Sequence, residues 1–165
     1  EHPPKDYHRL TIGKEVRLRH SYVIRAESII KDDQGAIVEL RCSYDELTLG
    51  KNPEGRKVKG VIHWVSARAG IPCTVRLYQR LFSLADPESD AEKEFTDFIN
   101  LDSLKMITTA IAEPSLAEAL PESAFQFERE GYFCADRWEH QPKGAATPRL
   151  VFNQTVSLKD SWGKA

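Results

Sequence analysis

The pattern that most limits this chain is a period of two. Along Lys14-Glu15-Val16-Arg17-Leu18-Arg19, apolar and charged residues alternate. A strand turns successive side chains to opposite faces, so Val16 and Leu18 face inward while Arg17 and Arg19 share the other face. Tyr22 and Ile24 resume the inward phase, through roughly Glu27 to Ile30. Lys31-Asp32-Asp33-Gln34-Gly35 reads as a hairpin turn, with Asp to cap it and Gly for a positive φ. Ala36 to Tyr44 is its return strand, and Asn52-Pro53-Glu54-Gly55 marks a loop between residues 45 and 56. Lys57 to Ser66 and Cys73 to Phe82 give two more strands. A run of short strands with no convincing helix predicts a small closed barrel.

The second half differs in texture. Residues 83–94, from Ser83 through Asp86-Pro87 and the acidic run to Glu94, read as a boundary, which divides the chain into 1–82 and 83–165. Phe95 and Phe98 suit one helical turn at their i, i+3 spacing. Leu101 to Ala112 predicts a strand and Glu113 to Leu120 a short helix, with Ser115 and Glu118 at capping-box spacing. Leu150 to Leu158 predicts the last strand, after a Pro/Gly-containing loop from Trp138 to Pro148.

Between them lies Ala124-Phe125-Gln126-Phe127-Glu128-Arg129-Glu130-Gly131-Tyr132-Phe133-Cys134. Its aromatic residues want burial in a strand. Gln126 and Arg129 interrupt them, and both are types that read nucleic-acid base edges. Polar groups in a central strand are costly without partners. In a flat strand, positions i and i+3 also point to opposite faces. A bulge or strong twist near Phe127–Glu128 is therefore required if both are to reach one base.

Charge and composition narrow the function. With 41% apolar and 29% charged residues, the 165-residue chain can bury a core and stay soluble. No run of about 18 apolar residues offers a membrane span. Glu1-His2-Pro3-Pro4-Lys5-Asp6 lacks the apolar core of a signal peptide, and with no initiator Met it reads as part of a longer chain. Cys42, Cys73 and Cys134 are far apart with no Cys-x-x-Cys, which argues against a disulfide framework or a zinc site and for a reducing cytosol. Each is expected to be a small buried hydrophobe. The five histidines form no metal-ligand pair.

The net charge of −2 names no polyanion, but its distribution is uneven. In residues 51–80, Lys51, Arg56, Lys57, Lys59, Arg68, Arg76 and Arg80 face Glu54 alone, whereas acids dominate residues 84–130. Such asymmetry can aim one side of a molecule at a polyanion. Nucleotide-binding glycine loops and the Gly-x-Ser-x-Gly nucleophile motif are absent. On these residues the chain reads as a binding module without catalytic residues of its own.

Several segments resemble one family. His8-Arg9-Leu10-Thr11-Ile12-Gly13-Lys14-Glu15-Val16-Arg17-Leu18-Arg19 is similar to the opening of the distal barrel of bacterial-type glutaminyl-tRNA synthetases. Gly60-Val61-Ile62-His63-Trp64-Val65-Ser66 and Arg76-Leu77-Tyr78 resemble the next strands. Glu113-Pro114-Ser115-Leu116, the stretch Phe125 to Cys134 and Val151-Phe152-Asn153 resemble the proximal barrel. The likeness runs from about Asp6 to Trp162.

The resemblance implies an all-β fold of two small β-barrels, distal (1–82) and proximal (83–165), with one or two short helices. It implies recognition of splayed anticodon bases, whose exposed edges Arg and Gln can pair with. Arg9 would read the third base, Arg17 and Arg19 would hold the first base and its phosphate, and Gln126 and Arg129 would read the central uridine. His8 stands where relatives carry Lys and is a weaker contact. The implied partners are glutamine-isoacceptor tRNA and a catalytic domain in the parent protein, a cytoplasmic monomer. ATP and Mg belong to that domain, and no cofactor or metal is expected here. Residues 138–149 depart from the family in sequence and length. Three other readings stay open: a glutamyl-tRNA synthetase using the same architecture, a standalone β-barrel interaction module, and a small hydrolase using His63 with acids.

Overall fold

A computed structural model describes residues 10–158. It is all-β with short 3-10 turns, as the alternation requires, and divides into two compact units, 1–64 and 65–165.

In the first unit, β1 (Glu15–Leu18), β2 (Val23–Lys31), β3 (Ile37–Asp45) and β4 (Val61–Ile62) form a sheet ordered β3-β2-β1-β4. β1 runs antiparallel to β2, with Val16 opposite Ile24, and parallel to β4, with Arg17 opposite Val61. Val16, Val23 and Ala26 form its buried centre. The β2–β3 turn follows its sequence: the Asp32 carboxylate accepts from the Gln34 and Ala36 N–H groups (3.0 and 2.8 Å), and Gly35 takes φ +81°. The strand expected over Lys57–Ser66 shrinks to Val61–Ile62.

In the second unit, β5 (Ile71–Tyr78), β6 (Leu104–Ala112), β7 (Ala124–Phe127), β8 (Gly131–Ala135) and β9 (Val151–Ser157) are ordered β6-β5-β9-β8-β7. β5 pairs with β6 and β9 here, so a strand grouped by sequence with the first barrel lies in the second sheet. The division between units accordingly differs from the expected one at residue 82. The pairing orders end at β3 and β4 in one sheet and at β6 and β7 in the other. Ladders that close into the expected barrels are not seen among the described residues.

The core of this unit joins Cys73, Val75, Ala112, Phe133, Ala135, Leu150 and Phe152, with Phe125 and Phe127 packed against them. Phe127 stacks on Phe133 at 4.4 Å and meets Phe152 edge-on at 5.2 Å. Burying a Phe contributes about 1.5–3 kcal/mol, so these rings fix which face of β7 turns inward. His140 is buried too; its Nε2–H donates to the Ala119 carbonyl (2.9 Å) and its Nδ1 accepts from the Val151 N–H (3.2 Å).

Two local expectations change. Glu113 occupies the N-cap position of the turn at Pro114–Glu118 without a side-chain cap bond, Pro114 follows, and the Ser115 hydroxyl donates to the Glu113 carboxylate rather than capping a helix. Proline suits that first position because it lacks the N–H that a helix start leaves unused. Cys42 is exposed on β3, whereas Cys73 is buried and Cys134 half-buried; all three are free thiols.

Candidate nucleic-acid interface

The stretch Ala124–Cys134 is a hairpin, not a single strand. Gln126 pairs with Tyr132 and Phe127 with Gly131, leaving Glu128, Arg129 and Glu130 as the turn. The Glu130 N–H donates to the Phe127 carbonyl at 2.9 Å, and Arg129 takes φ +65°. The irregularity demanded by the i, i+3 spacing is thus a complete reversal of the chain. Non-glycine residues rarely occupy that backbone region.

Strand alternation resolves the polar interruption as well. Phe125 and Phe127 point into the core, so Gln126 falls on the outer face, exposed. Tyr132, directly across from Gln126, is 46% exposed. Arg129 is exposed at the turn, and among the described residues neither it nor Gln126 makes an ion pair or side-chain hydrogen bond. The hairpin therefore presents an amide, a guanidinium and an aromatic ring together. Sequence reasoning missed Tyr132, although a period-two count from the buried Phe133 would have put it outward.

The first unit has a second tight turn, between β1 and β2. Arg17 does not stand beside Arg19 on a free face. Its guanidinium donates to the carbonyls of Ser21 (2.9 Å), Thr48 (2.8 Å) and Lys51. It thereby ties the β1–β2 turn to the loop that follows β3. Arg19 lies just past β1 and is exposed, and His20 beside it takes φ +55°. Arg9 and His8 lie outside the described residues.

The charged surroundings are partly self-neutralised. Arg56 donates to Glu15 and Asp45, and its hydrogen bond holds the Asp45 carboxyl below its ordinary range. Lys51, Lys57 and Lys59 are exposed nearby in sequence.

In the second unit, Arg76 bridges Asp136 (3.1 Å) and Glu139, and Arg149 reaches Glu139 at 3.0 Å. Burial works to raise the Asp136 carboxyl, but bonds from the Asn153 amide and the Glu139 and Trp138 N–H groups, with the Arg76 charge, hold it below its ordinary value. The network clamps the loop after β8 onto β5 and β9. Its charges pair with one another. Among the described residues no group of His, Cys, Asp or Glu could hold a metal, and His63 is exposed on the chain after β4.

Two family models, both described as tRNA synthetases class I (E and Q), anti-codon binding domain, match residues 3–45 and 61–136. The chain belongs to this family. Arg9, Arg17 and Arg19 lie in the first matched segment, Gln126 and Arg129 in the second. The chain is 63% identical over 165 residues to the glutamine–tRNA ligases of Stutzerimonas stutzeri and Azotobacter vinelandii. It is 61% identical to that of Pseudomonas aeruginosa strain LESB58. Each likeness covers 99% of this chain and 29% of the relative, so the chain spans less than a third of those proteins. The two hairpin turns are the places where the exposed Arg19, Gln126 and Arg129 side chains sit on firmly held backbone.

Proposed function

We propose that the chain recognises the tRNA anticodon as part of a glutaminyl-tRNA synthetase, with the first unit as the distal and the second as the proximal anticodon-binding unit. The β7–β8 hairpin carries the proposal. It offers Gln126 and Arg129, two groups able to pair with the edges of one unstacked base, on a backbone locked by Phe125, Phe127 and Phe133. Gln126 and Arg129 read the central uridine, Arg19 meets the first base, and Arg9 reads the third. Arg17, bonded to three carbonyls, holds the turn that carries Arg19 and reaches the phosphate through its remaining donor capacity.

Catalysis belongs to the remainder of the parent protein. ATP, Mg and glutamine act there, on glutamine-isoacceptor tRNA, in a cytoplasmic monomer. Within the described residues no helix is long and apolar enough to cross a membrane.

The test is Gln126→Ala in the full-length protein, measured with the matched tRNA and with tRNAs altered at the central anticodon base. Affinity for the matched tRNA should fall by about 1–3 kcal/mol, with little change for the altered ones. Equal loss for every tRNA would remove the base-reading role. Binding should also weaken with salt, at a slope of about −0.7 per phosphate neutralised; salt-independent binding would favour a protein-interaction module.

A further inference from the structure

Trp64 stands two residues past β4 and is 44% exposed. Its indole N–H is nevertheless committed: Nε1 donates to the Arg19 carbonyl at 3.0 Å. The Arg19 N–H in turn donates to the Ile62 carbonyl at 3.0 Å. Both backbone polar groups of Arg19 are therefore held by the segment 62–64. The adjoining His20 sits at φ +55°, and Ser21 closes the turn by donating to the Leu18 carbonyl at 2.9 Å. A non-glycine residue in that region persists only where its surroundings over-determine the backbone.

Main-chain bonds and the Arg17 guanidinium fasten the two ends of this turn. Trp64 fastens its middle, from 45 positions away in the chain. We propose that Trp64 is a positioning residue for RNA recognition: its indole N–H pins the Arg19–His20 turn so that the Arg19 side chain meets the anticodon loop already oriented. This rests on the reading of Arg19 as an anticodon contact. Pre-organisation of this kind raises affinity by removing ordering costs from the binding step, without adding a contact.

The substitution Trp64→Phe keeps an aromatic ring and removes the indole donor together with part of the ring. In the full-length protein it should weaken tRNA binding roughly two- to tenfold, the effect of one lost hydrogen bond. The loss should appear in KM for tRNA, with kcat at saturating tRNA unchanged. Exchange of the Arg19 and Ser21 amide protons should accelerate in the free protein. In an Arg19→Ala background the same substitution should add nothing, because residues that act through one another are non-additive. Wild-type affinity in Trp64→Phe, or losses that add in the double variant, would overturn the proposal. Normal tRNA binding by Arg19→Ala would instead overturn the assignment of Arg19 itself, and this proposal with it.

Discussion

Replacing Arg129 by glycine should move stability and recognition in opposite directions. Arg129 occupies φ +65° in a three-residue turn. An L-residue there carries a steric cost of about 1–2 kcal/mol that glycine avoids. Glycine loses more chain entropy on folding, about 0.5–1 kcal/mol. The difference leaves Arg129→Gly neutral to about 1.5 kcal/mol more stable. For a unit of this size, each kcal/mol raises the melting temperature by about 4–8 °C. Nothing offsets this on the folded side, since the guanidinium has no ionic partner among the described residues.

Recognition should go the other way. Losing a bidentate contact costs about 1–3 kcal/mol, or roughly 5- to 150-fold in affinity. Arg129→Ala is the control: it loses the contact but keeps the strained backbone, so it should bind as poorly without the gain in stability. Thermal unfolding and equilibrium binding of matched and central-base-altered tRNAs would measure both arms. Clear destabilisation by Arg129→Gly would refute the backbone argument, and undiminished discrimination would refute the base contact.

Two further outcomes follow from the polar networks. Asp136 has its folded-state pKa held below the unfolded value, so its contribution to stability is present above the ordinary aspartate range, about pH 4, and is lost as pH falls through the depressed value. Acid unfolding curves of the wild type and Asp136→Asn should therefore converge below the depressed value and separate above it. Arg17→Ala removes three bonds to carbonyls and should destabilise the first unit by about 1.5–3 kcal/mol in urea unfolding. Arg17→Lys should restore little, because a single ammonium cannot span three acceptors as the planar fork does.

Much of the architecture is legible in the linear order of residues. The alternation around Val16 and Leu18, the Asp32–Gly35 turn and the aromatic spacing of Phe125 and Phe127 are local properties, and side-chain period and turn chemistry act over a few residues. They sufficed to mark strands and to single out Gln126 and Arg129 as residue types that can pair with base edges, whereas Arg19 was named through the family resemblance. The family motifs reach further because they span nearly the whole chain.

Pairing is different. That β5 joins β6 and β9 depends on which distant strands satisfy its backbone groups and bury Cys73 and Val75, a choice no local pattern encodes. The same holds for Arg17. Its sequence position marks it as an outward-facing strand arginine like Arg19, yet carbonyls from residues 21, 48 and 51 converge on it in the folded unit. Near Phe127–Glu128, where a bulge or strong twist was expected, a local three-residue turn makes a hairpin instead: Gly131 and Tyr132 return beside Phe127 and Gln126, and Phe133 reaches the core. The sequence alone determined which positions carry the arginine and glutamine donors. The tertiary structure decided that Gln126 and Arg129 stand exposed while Arg17 is committed to carbonyls, because exposure and the acceptors around Arg17 are set by neighbours that lie far away in the chain.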